Sequence, residues 1–189
     1  MKKLLVSTLL ATALLSTSSF ANANQNVSLL SSLEYRLDLG YSFLTDNSDL
    51  DGAELNFAAY FPTYKGNSFE FKLGPRFNYT YAKYDYNLFN RLTFTNYRLS
   101  ASALLSYTGF NSVSPYLELD LGYGRSNVEA KTLFSTRNYA DTDVSAGVEL
   151  GVKFPFGLYT GVRYTHLNSD YLGDTSVGTV FLGYTFNLK

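Results

Sequence analysis

The chain contains one histidine and no cysteine, so thiol and disulfide chemistry is absent and few metal-ligand sets are possible. His166 lies in Val162-Arg163-Tyr164-Thr165-His166-Leu167-Asn168-Ser169. A serine nucleophile needs a base such as histidine within hydrogen-bond reach. In an extended strand, however, Ser169 is three residues away and projects from the opposite face, while Asn168 holds the place two residues on. The reading is an interfacial histidine at a strand end, and no catalytic residue is assigned. The stretch Asp46-Asn47-Ser48-Asp49-Leu50-Asp51-Gly52 aligns with a calcium loop only if Ala58 takes the position of the closing glutamate. It reads as a solvated acidic loop, and no metal or cofactor is assigned.

A larger set of charges has a regular placement: Glu34, Arg36, Asp38, Glu54, Glu70, Lys72, Arg76, Arg98, Glu118, Asp120, Asp143, Glu149, Lys153 and Arg163. Such a set either lines an ion or proton path or forms a plug of paired charges. The elements that hold it decide which. Beyond residue 23 no segment has helical period. Eight runs alternate with period two instead: 33–43, 53–61, 69–81, 96–107, 116–124, 142–154, 158–166 and 178–188. Gly74-Pro75 in the third run predicts a local bulge or bend. The connections (44–52, 62–68, 82–95, 108–115, 125–141, 155–157 and 167–177) alternate long and short, as in an antiparallel meander with loops at one end and turns at the other.

All these charges fall on one face of the runs, together with glycines such as Gly40, Gly122, Gly147 and Gly183. A narrow barrel needs small residues inside, between bulky ones. On the other face, Tyr41, Phe43, Tyr79, Tyr81, Tyr97 and Tyr123 gather toward the loops. Phe61, Phe69, Tyr107, Phe154 and Phe186 gather toward the turns, which makes two interfacial girdles. The apolar face therefore looks at lipid and the charges at the lumen. An open sheet edge is too costly in hydrocarbon, so run eight must pair with run one. The expected fold is all-β: an eight-stranded, antiparallel, up-and-down transmembrane barrel over residues 33–189. Its narrow interior favours the plug.

Lys2 and Lys3, the apolar run Leu4 to Leu15 and Ala21-Asn22-Ala23 form a cleaved signal peptide over residues 1–23, followed by a short periplasmic segment, 24–32. Its removal leaves a formal charge of 13 − 16 = −3, with no basic block for nucleic acid. The 17 Tyr and 15 Phe, without Trp, suit strands at a polar–apolar boundary.

In this layout the chain resembles the small eight-stranded outer-membrane β-barrels of the Gram-negative-type envelope, the OmpA/OmpX/opacity-type porin-like group. Gly183, Tyr184, Phe186 and Leu188 look like the C-terminal signal read by the barrel-assembly machinery, although such signals commonly end on Phe and this chain ends Leu188-Lys189. The resemblance implies an outer-membrane monomer in contact with bilayer and lipopolysaccharide, assembled by that machinery with periplasmic chaperones. It implies a non-enzymatic structural or adhesion-like role through residues 44–52, 82–95, 125–141 and 167–177, toward an unassigned host or surface ligand. Two other classes are a small-solute channel and a lipid A-modifying enzyme. An outer-membrane lipid A deacylase of the same barrel type carries a His-x-Ser-Asn pattern, which residues 166–169 resemble faintly, with Asn168 in place of the serine.

Overall fold

The structure, a computed structural model, describes residues 33–45, 50–87, 90–169 and 173–187. The expected signal peptide, the segment 24–32 and Leu188 lie outside the described residues. Eight strands follow in order: β1 (Glu34–Leu44), β2 (Asp51–Lys65), β3 (Phe69–Asn87), β4 (Asn90–Tyr107), β5 (Ser114–Lys131), β6 (Thr136–Lys153), β7 (Leu158–Ser169) and β8 (Gly173–Phe186). Each pairs with its neighbours in sequence, and the sheet closes. Closure is by β1 and β8, antiparallel from Tyr35↔Phe186 to Leu44↔Val177.

The strands outrun the alternating runs at the loop end. Residues 82–95 and 125–141, expected as loops, are largely the ends of β3, β4, β5 and β6; residues 132–135 connect β5 to β6, and residues 88–89 lie outside the described residues. These four strands continue past the last pairs that tie them to the rest of the barrel, Asp51↔Lys83 and Asp143↔Ser169. They form a four-stranded sheet that stands above the aromatic girdle.

The bulge is also placed differently. Gly74 and Pro75 pair in continuous register with Ser102 and Ala101, and on the β2 side Ala58↔Arg76 and Phe61↔Leu73 keep one register across them. A Cβ on residue 74 would lie 1.8 Å from the Ala59 carbonyl oxygen; glycine lets β2 pass there, so the proline omits a ladder hydrogen bond without shifting the strand. The register shift occurs between Pro62 and Tyr64 instead.

Burial alternates along each strand, with charges inside and apolar residues outside. Leu39, Leu121 and Leu182 are 62%, 60% and 55% exposed, whereas Glu118 and Glu149 are 0% exposed. An apolar belt around the whole girth cannot be left to water, and paired charges sealed inside are tolerable only when hydrogen-bonded. The barrel is a soluble protein turned inside out.

Candidate functional site

The interior charges are stacked in layers. At the turn end, Glu34 accepts hydrogen bonds from Lys72 Nζ and Lys153 Nζ, each at 2.7 Å, and Lys72 also pairs with Glu70 at 2.9 Å. Above them Arg36 lies against the rings of Tyr116 and Tyr159, with Cζ 4.4 and 3.8 Å from their centroids, and donates to Glu118 at 3.0 Å. The centre holds Arg76 and Arg163. Arg76 Nη2 lies 2.7 Å from Glu118 and 2.6 Å from Glu149. Arg163 donates to Glu149 at 2.8 Å, to Asp38 at 3.1 Å and to Glu54. Tyr60 donates to Glu118, and Tyr159 donates to Asp38 at 2.7 Å.

The next layer is less well satisfied. Arg98 donates to Asn78 at 3.1 Å but stands 3.6 Å from Asp120, and neither Asp120 oxygen has a hydrogen-bond partner among the described residues. Asp143 accepts from Asn96 at 3.0 Å and Ser126 at 2.8 Å. Above it the lining becomes apolar: Leu44, Leu50, Phe94, Leu167 and Val177 cluster in the mouth. Arg36, Arg76, Glu118, Glu149 and Arg163 are all at most 2% exposed, so the ion pairs fill the lumen.

His166 faces outward at the loop end of β7. Its Nδ1 is 3.1 Å from Ser176 Oγ, across the strand pair His166↔Ser176, and Tyr164 donates to the same oxygen at 2.8 Å. Ser169 turns inward and donates to Asp141 at 2.6 Å, while Asn168 donates to Asp174. Ser176 was not among the candidates, because only the β7–β8 register brings it to the histidine. The second ring nitrogen has no partner among the described residues, so this pair lacks the group that would orient a base. Of the acidic stretch, Asp51 accepts a hydrogen bond from Tyr41, Ala58 is buried in the wall, and residues 46–49 lie outside the described residues. No group of three or more metal-ligating side chains occurs among the described residues.

At the closing seam, Gly183 makes room for Tyr159 and Asp38, whose atoms would lie within 2.6 Å of a Cβ there. Tyr184 projects outward and Phe186 stacks on Tyr35 at 5.6 Å.

The protruding sheet has polar residues outside, including Lys83, Asp85, Arg91 and Arg125. Lys83 and Arg91 hold the Asp85 carboxyl below its usual range through their hydrogen bonds to it. At the β5–β6 tip, Leu133 and Phe134 are 57% and 92% exposed.

No family model matches the chain, and no curated protein sequence does. Solved structures do. The Neisserial surface protein A (NspA) superposes with a TM-score of 0.62 at 19% identity, covering 84% of this chain and 98% of that one. The fold is that of the small outer-membrane β-barrels. The outer-membrane enzyme PagL aligns at a TM-score of 0.52 and 14% identity over 82% of this chain and 99% of its own. Ail, the attachment invasion locus protein of Yersinia pestis, in complex with the heparin analogue sucrose octasulfate, aligns at 0.51 and 19% over 82% and 99%. This barrel therefore shares its architecture with an enzyme and with an attachment protein.

Proposed function

We propose that this barrel is a non-enzymatic surface-interaction protein of a Gram-negative-type outer membrane, presenting the β3–β6 sheet to the outside. The observation that carries this reading is the sheet itself, which rises above the girdle and ends in the exposed Leu133 and Phe134. Long exposed elements on a rigid scaffold are where binding resides. Residues 1–23 act as the cleaved export signal, and Gly183, Tyr184, Phe186 and Leu188 as the address for the barrel-assembly machinery, with periplasmic chaperones in transit. The apolar belt contacts bilayer and lipopolysaccharide as a monomer within its own membrane. The filled lumen argues against a solute channel, and the unoriented His166–Ser176 pair against lipid A chemistry. Attachment is also in the name of Ail, the attachment invasion locus protein, a barrel of the same fold.

The test is adhesion of cells that display the protein to host-cell monolayers, compared with a variant in which residues 128–139 are replaced by Asn-Gly. Attachment should fall to the level of cells lacking the protein. Undiminished attachment by the shortened barrel would sink the reading.

A further inference from the structure

The protruding sheet has two open edges, and they differ. On β3 the register shifts between Asp85 and Asn87, and Lys83, Asp85 and Arg91 crowd the same end. Bulges and charges are the devices that blunt an edge against pairing. On β6, residues 136–140 are exposed throughout and pair with β5 in unbroken register. Their other side has no partner among the described residues, since the β6–β7 ladder begins at Asp143↔Ser169.

The ladder also fixes which groups face outward. Thr132 N–H donates to Ser135 O at 2.8 Å, which makes 132/135 a hydrogen-bonded pair. Such pairs alternate along an antiparallel ladder, so Arg137 and Tyr139 exchange hydrogen bonds with Ala130 and Val128 of β5. Thr136, Asn138 and Ala140 therefore direct their N–H and C=O groups to the open side.

We propose that the edge Thr136–Ala140 pairs antiparallel with the same edge of a second copy of this chain held in a facing membrane. This rests on the surface-interaction reading and names its partner. Direction selects the facing membrane, because antiparallel pairing is the more stable per residue. β6 runs from the hairpin tip toward the bilayer, so copies in one membrane present their edges running the same way, and copies in apposed membranes present them antiparallel. Chemistry selects a second copy. Centred on Asn138, the pairing sets Thr136 against Ala140 of the second copy and Asn138 against itself, with all three bearing open-side groups. Arg137 then meets Tyr139 of the second copy at the non-hydrogen-bonded positions, where side chains approach most closely. Each guanidinium finds an aromatic face, and no charge is set against its like.

The experiment uses the full chain in two populations of protein-only proteoliposomes carrying different dyes and different tags. Wild-type vesicles should clump across populations. Asn138→Pro should reduce clumping at least about tenfold, because proline removes an open-side N–H and leaves the β5 ladder intact. Asn138→Cys should cross-link differently tagged chains under mild oxidation, since the chain has no other cysteine and directly opposed strand positions lie within disulfide reach. Heat-shifted gel mobility verifies that each variant is folded. Absence of wild-type clumping, or clumping unchanged by Asn138→Pro with no cross-link, would overturn the inference. The same vesicles are offered to host-cell monolayers. Attachment without clumping removes the second copy alone, and attachment that Asn138→Pro abolishes points to a foreign strand in its place. Loss of both removes the surface-interaction reading as well.

Discussion

Glu149 and Asp120 are both buried carboxylates on the inner wall, yet their neutralisation should cost very different amounts. Glu149 accepts from Arg76 at 2.6 Å, Arg163 at 2.8 Å, Tyr116 at 2.8 Å and Arg36 at 3.4 Å. Glutamine there keeps the shape but points an N–H₂ at guanidinium groups and leaves buried positive charge short of its partner. Removing one member of such a buried set costs about 3–5 kcal/mol, consistent with the loss of two charge-assisted hydrogen bonds at about 1.5–3 kcal/mol each. Asp120 lies 3.5 Å from Arg76 and 3.6 Å from Arg98 and accepts no hydrogen bond among the described residues. Asp120→Asn should therefore cost about 1 kcal/mol or less. The difference of about 2–4 kcal/mol is about a 30- to 700-fold difference in the folding constant. Urea unfolding in lipid vesicles measures it, read by heat-shifted gel mobility and by tyrosine fluorescence, as the chain has no Trp. Equal losses for Glu149→Gln and Asp120→Asn would refute the claim that the central layer carries the stability of the interior.

Wild-type protein in planar bilayers should give no steady, large open-state current, because the central ion pairs fill the lumen; such a current would refute the plug. Gly74→Ala should destabilise the barrel by more than about 3 kcal/mol, as its Cβ would meet the Ala59 carbonyl at 1.8 Å. Gly173→Ala should cost only about 1–2 kcal/mol, since its φ of +76° disfavours alanine but nothing lies within 4 Å; unfolding in the same vesicles ranks the two. Deleting residues 186–189 should leave export intact and block assembly, measured as periplasmic chain without heat-shifted mobility; normal insertion would reduce the tail to an ordinary strand.

Strand existence and the two faces were legible because period-two alternation is a local property. The partners inside were not. Arg36 and Glu118 are 82 positions apart in sequence, and only the register of five strands brings them together. The same limit hid Ser176, which meets His166 across β7 and β8. Gly74-Pro75 was misleading for a different reason: a proline signals a missing ladder hydrogen bond, not a register shift, and the shift lies at Pro62–Tyr64 near the turn end.

The hairpin lengths escaped the sequence reading because the sense of the alternation reverses. Up to the girdle the outward residues are apolar or aromatic, from Phe77, Leu99 and Leu121 to Tyr79, Tyr81, Tyr97 and Tyr123 of the girdle itself. One step above it they are Lys83, Thr95 and Arg125, while the inward residues turn from Asn78, Arg98 and Asp120 to Tyr84, Leu92, Phe94 and Val128. A search for one apolar face stops where the two faces exchange roles. The exchange is what the surroundings demand: hydrocarbon requires an apolar outside, and water above the membrane requires an apolar inside. The reversal therefore marks the outer boundary of the bilayer more sharply than the aromatic girdle does. It also seats the protruding sheet on the apolar mouth, where Tyr84, Leu92, Phe94 and Val128 pack against Leu44, Leu50, Leu167 and Val177 of the other strands and the first connection. A hairpin pair without that packing would be marginal in water. With it, β3, β4 and β5 rise from an apolar base, and the β6 edge is held to them by its unbroken ladder with β5.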